Sequence, residues 1–184
     1  MNRRQFMTVL GGTSVASLAG INPAFAFSTD NATTTLIVKG LVMEYLGAEQ
    51  AGLMVGVSDL GAHSQGFIGA FYSLNSNMII INKKPLARIL QTNPSLYTHY
   101  LFHVMLHEYI HSIGSYDERQ TRQLVHEMSR HYFGSDHLVT QLSSNIEKFI
   151  PNLSYPSISG FQEPEDINIE FVKGIDRKNI NYIN

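Results

Sequence analysis

The chain has 184 residues, with 13 basic and 15 acidic side chains and a formal net charge of −2. That balance excludes a strongly basic nucleic-acid binder, and 43% hydrophobic against 15% charged residues excludes a disordered polyelectrolyte. With no cysteine, disulfide frameworks, iron–sulfur clusters, thiolate zinc sites and cysteine nucleophiles are ruled out, so any metal must be held by carboxylates and by some of the eight histidines.

Residues 1–26 have the three-part layout of an export signal. A basic start at Arg3-Arg4 leads into a mild apolar run from Thr8 to Ile21 and a small-residue end at Ala24-Phe25-Ala26. Gly11, Gly12, Thr13, Ser14 and Ser17 dilute the run, which is too short and polar for a stable membrane span. Arg3-Arg4-Gln5-Phe6-Met7 resembles a twin-arginine export signal. The expected product is exported to the periplasm or beyond, with no integral membrane span after removal of the signal.

Residues 27–184 read as one α+β domain with a polar tail, its ordered part running from about 30 to 172. Thr29 to Thr35 is a polar lead-in. Leu36 to Leu46 carries apolar residues at helical spacing, and Gly47 can end that helix. Leu53 to Leu60 reads as a strand and Gly61 to Gly66 as a loop. Phe67 to Ser73 and Met78 to Ile81 form a hairpin about Leu74-Asn75-Ser76-Asn77. A short helix covers Lys84 to Leu90, with Pro85 near its start. Ser95 to Ile113 is a long helix with Ser95 as a possible cap and Gly114 as its stop. Asp117 to Phe133 is a second, with Asp117 and Gln120 as a capping pair, and Asp136 to Phe149 a third, stopped by Pro151. A Pro-, Ser- and Gly-rich stretch follows, and Ile167 to Phe171 alternates like an edge strand. The architecture expected is a short mixed sheet of three strands with a hairpin edge, then the long helix and a helical half.

The chemistry lies in His107-Glu108-Tyr109-Ile110-His111, in the second half of the long helix. Histidines four apart stand about 40° apart around a helix and one turn along it, so both imidazoles can grip one ion. Zinc takes such nitrogens at about 2.0–2.1 Å. Glu108 is about 100° around, able to reach a water at the ion without joining the ligands. It would take the proton of that water and pass it to a leaving amine. Gly114 to Asp117 is a tight connection, which folds the next helix back as an αα-hairpin and brings its first acids near His111. Asp117 is the preferred third ligand and Glu118 the alternative. Glu127 lies roughly 14 Å further along, beside His103. His103 sits one turn before His107 and reads as a packing residue, as do His126, His131 and His137. Tyr116, Tyr132 and Tyr155 are candidates for stabilising a developing oxyanion. Arg119 and Arg122 read best as partners of Glu118.

The extended run from His107 to Asp117 resembles the small zinc metallopeptidases of the zincin type. The spacing HExxHxxGxxD is similar to that of metzincins, although the only later methionine, Met128, falls inside a helix rather than in a Met-turn. The resemblance covers about residues 66–133 and implies His107 and His111 as zinc ligands, Asp117 as the third, and Glu108 as general base. It also implies that the hairpin from Phe67 to Ile81 is a sheet edge binding extended substrate. The expected function is zinc-dependent hydrolysis of peptide bonds in a peptide or protein substrate, without a nucleic-acid partner. The alternatives are a non-catalytic zinc-binding or interaction module, or another metal-dependent hydrolase.

Overall fold

The computed structural model describes residues 30–61, 67–151, 153–154 and 167–175. The expected export signal and Tyr155 lie outside these residues. Among the described residues, five α-helices and a four-stranded mixed sheet make an α+β fold. The first helix, α1 (Asn31–Leu46), starts five residues earlier than its apolar pattern suggests. The cause is Asp30, whose carboxylate accepts the Ala32 and Thr33 backbone N–H groups, so the polar lead-in becomes the first turn. Gly47 closes α1 at φ 68°, a conformation open to glycine.

Strand β1 (Met54–Ser58) is followed by β2 (Phe67–Ile68), β3 (Ala70–Ser73) and β4 (Met78–Asn82). The expected strand from Phe67 to Ser73 is therefore split at Gly69, whose carbonyl accepts the Asn82 N–H at 2.9 Å. Its first part, β2, leaves the main sheet and pairs in parallel with β5 (Leu153–Ser154), while β3 keeps the hairpin with β4. The main sheet runs β3-β4-β1-β6, where β6 (Glu170–Phe171) joins antiparallel to β1 as an edge. The edge strand expected at Ile167 to Phe171 is thus present over Glu170–Phe171, and it joins the expected three as a fourth. β1 and β4 are parallel, with Val55 beside Ile79 and Val57 beside Ile81.

Asn82 ends β4 and starts α2 (Lys83–Thr92): its Oδ1 accepts the Lys84 N–H and its Nδ2 donates to the Ile68 carbonyl at 2.8 Å. A short 3-10 turn, Pro94–Leu96, leads into α3 (Tyr97–Ser112). Ser95 does not cap α3; its hydroxyl donates to Asn93 Oδ1 within the turn. Gly114, at φ 100°, follows α3, and α4 (Glu118–Phe133) folds back against it. The expected third helix is shorter than its pattern: α5 (Leu138–Ser144) stops at Asn145, which begins a 3-10 turn at Ile146–Lys148. The main core lies where α3 packs on the sheet and against α1, α4 and α5, and Tyr100, Leu101, Phe102, Met105 and Tyr109 are buried within it. A smaller cluster of Leu60, Phe71, Met78 and Ile80 is covered by Ile167 and Ile169. Among the described residues, no helix is long and apolar enough to cross a membrane.

Candidate metal centre

Helix α3 is buried from Tyr100 through Ser112 without interruption. A helix enclosed all round must satisfy or pair every polar group it carries inward. His107, Glu108 and His111 are such groups, 1%, 3% and 3% exposed. Their helical spacing sets both imidazoles on one side, with His107 Nε2 and His111 Nε2 3.1 Å apart. The third group is Glu118, in the first turn of α4. Its Oε1 lies 3.3 Å from His107 Nε2 and its Oε2 3.3 Å from His111 Nε2.

His107, His111 and Glu118 are the three metal-ligating side chains that converge among the described residues. Asp117, the preferred third ligand from spacing, stands outside this group. It is exposed, and its Oδ1 accepts the Gln120 N–H at 2.7 Å as the cap of α4. Capping turns the Asp117 carboxylate along the helix axis, while the next residue, already helical, points back at α3. Glu127 is further away and bonds Gln123 along the same helix.

The histidine orientation has its own supports. The Ser115 carbonyl can only accept, so His111 Nδ1, 2.6 Å away, carries the proton there. In a neutral ring His111 Nε2 then presents its lone pair to His107 and Glu118. Thr121 strengthens the arrangement: its hydroxyl contacts the Ser115 carbonyl at 3.1 Å, the Ser115 hydroxyl at 2.8 Å and His111 Nδ1 at 3.4 Å. Ser115 and Thr121 were not singled out by the sequence pattern. The available signal was a threonine at 121 on the inward stripe of α4 that continues through Val125 and Met128.

A tetrahedral ion with bonds of about 2.0–2.1 Å holds its donors roughly 3.3–3.4 Å apart. The imidazole nitrogens, 3.1 Å apart and each 3.3 Å from one oxygen of the carboxylate, lie close to this spacing, and the donor set is the two-imidazole, one-carboxylate type used by hydrolytic zinc sites. The group can therefore hold a metal ion. Burial alone would raise the Glu118 pKa, but the approach of His107 and His111, with help from Arg122, pulls it well below the usual carboxylate range. Burial alone would lower the His111 pKa, but Glu118 and Glu108 bring it above the usual imidazole value.

Glu108 stands apart from the three converging groups. Burial pushes its carboxyl pKa up, against the opposing pull of His107 and His111. The Tyr72 backbone N–H, on edge strand β3, donates to it. His103 is buried, and burial followed by repulsion from His107 and Arg122 lowers its pKa to about 3. It is not one of the converging donors. His126 bonds Ser143, His131 packs edge-on against Tyr45, and His137 caps α5, so all three have structural partners. Tyr132 donates its hydroxyl to the Leu41 carbonyl at 3.0 Å and is committed to packing, while Tyr116 is 54% exposed in the turn before Glu118. Tyr109 faces the opposite side and accepts the Gln50 N–H. Arg122 pairs with Glu118 at 2.8 Å, as expected, and no Arg119 ion pair occurs among the described residues. No protein-family model, curated protein or solved structure matches the chain.

Proposed function

We propose that the chain is an exported, zinc-dependent peptidase that cleaves peptide bonds with water. The observation that carries this reading is the buried carboxylate of Glu108, set next to the converging His107, His111 and Glu118 but outside them. A protein that only stored or sensed an ion would need the three donors and not this fourth, costly buried acid. When bound, zinc supplies Lewis acidity, bringing water to a pKa of about 7 and polarising a carbonyl. His107, His111 and Glu118 would hold it. Glu108 accepts the proton of the attacking water and delivers it to the leaving amine. Burial raises its pKa, the direction that suits a group that must both take and return a proton. Edge strand β3, directly hydrogen-bonded to Glu108 through Tyr72, supports the expectation that an extended peptide adds alongside it.

Glu108→Gln tests this. The variant should retain one zinc per chain while hydrolysis of a peptide library falls by about 10²–10⁴-fold, the usual contribution of a general base. Full activity in Glu108→Gln overturns the mechanism. Wild-type protein that binds zinc and cleaves no peptide points instead to the non-catalytic binding module.

A further inference from the structure

A carboxylate beside two imidazoles can meet a cation through one oxygen or through both. At Glu118 the two oxygens are not equivalent. Oε1 accepts the Arg122 Nε–H at 2.8 Å and also lies 3.3 Å from His107 Nε2. Oε2 is buried, lies 3.3 Å from His111 Nε2, and has no aligned hydrogen-bond donor. Arg122 follows Glu118 by one helical turn, so α4 itself sets the pair, and the Glu118 side chain is 23% exposed against 53% for Arg122. A guanidinium is charged at all relevant pH, and its Nε–H gives the carboxylate oxygen a directional, charge-assisted hydrogen bond.

We propose that Arg122 is a positioning residue for the metal centre: it occupies Glu118 Oε1, so that the buried Oε2 is the oxygen left to the cation. This rests on the metal-binding reading above. Two effects of Arg122 oppose each other in sign. Its positive charge repels a nearby cation, so charge alone makes its removal tighten metal binding. Positioning makes its removal loosen binding, because the Glu118 side chain regains rotamers that turn the carboxylate away. With Arg122 half in solvent, its repulsion is screened, whereas its hydrogen bond to Oε1 is direct. Positioning therefore sets the sign.

The experiment uses the purified chain stripped of metal. Zinc is titrated against a competing chelator and cobalt(II) by its visible absorption, in wild type, Arg122→Ala, Arg122→Gln and Arg122→Lys. The expected result is a loss of zinc affinity of about 10–100-fold in Arg122→Ala and Arg122→Gln, the size typical for groups that orient metal ligands. Arg122→Lys recovers part of it. The cobalt spectra of Arg122→Ala and Arg122→Gln change in intensity as the carboxylate orientation is lost, while thermal unfolding of the metal-free proteins stays at the wild-type value, since an exposed i,i+4 pair adds little stability. Zinc binding in both variants as tight as wild type, or tighter, overturns the proposal and leaves the metal centre standing. Wild type that binds neither zinc nor cobalt overturns the metal centre itself. If Arg122→Ala does not fold, Arg122→Gln decides alone by the same criteria.

Discussion

Helices α3 and α4 build one centre by opposite means. α3 carries His107, Glu108 and His111 on a rod enclosed by α1, α4, α5 and the sheet, so its side chains are held by the surrounding close packing. α4 is amphipathic: Thr121, Val125, Met128 and Ser129 face inward, and its outer face is open to solvent. Glu118 comes from its first turn and is directed by polar contacts, with the Asp117 cap behind it and Arg122 beside it. A donor pair fixed by packing thus meets a third donor fixed by hydrogen bonds. Damage to the two halves should look different: core changes in α3 cost global stability, while changes in α4 cost metal affinity first.

The largest expected effect is on the α4 side. Glu118→Ala should reduce zinc retention in equilibrium dialysis below detection, whereas Asp117→Ala should still hold one ion per chain. The reverse pattern would move the third ligand to Asp117. On the α3 side, Leu101 is fully buried, and Leu101→Ala should cost about 2–5 kcal/mol in chemical denaturation of the metal-free protein. A cost below 1 kcal/mol would mean that α3 is less tightly enclosed than α4.

Acid should separate the two halves as well. The His103 pKa is about 3 in the folded chain, against about 6.5 unfolded. Above pH 6.5 both states are neutral and the group contributes no slope. Below it the unfolded chain binds a proton that the folded chain refuses, so stability falls by up to about 1.4 kcal/mol per pH unit until about pH 3. His103→Leu should flatten that slope between pH 6 and 4, and an unchanged slope would show that His103 titrates normally. Asp117→Ala should cost about 1 kcal/mol as a lost cap, with Asp117→Asn recovering most of it. A change of similar size is expected for Thr121→Val, which keeps the shape of the buried side chain: zinc affinity should fall by roughly tenfold as His111 loses a constraint, the lower end for such groups. Equal affinity in that variant would leave the Ser115 carbonyl as sufficient support.

Much of this was readable from residue patterns. The histidines and Glu108 stand four and one apart on an apolar helix, and packing turns such a pattern directly into geometry. The glycines at 47 and 114 follow the helices they were expected to end. The order of Asp117 and Glu118 was less legible. Both lie at the start of α4, and their difference is a backbone torsion: Asp117 is extended, with φ −81° and ψ 116°, while Glu118 is already helical. Spacing counts residues and does not register which of two adjacent carboxylates is spent on backbone N–H groups. The split of the strand at Gly69 was hidden for a similar reason. It depends on Asn82 from another strand and on pairing with Leu153, both distant in the chain.

The return of the last described segment has a kinetic consequence. β6 closes against β1 through the Val172 N–H on the Val55 carbonyl, and Gly56 leaves room for Ile169 where any Cβ would collide with its Cγ2. The flank of β1 therefore remains open until residues near 170 have emerged and docked, leaving an unpaired strand edge during synthesis. Contacts this remote in the chain form slowly. Pulse-labelled hydrogen exchange should accordingly find the Val172 amide protected after those linking β1 to β4, and Gly56→Ala should prolong that interval and increase aggregation during refolding.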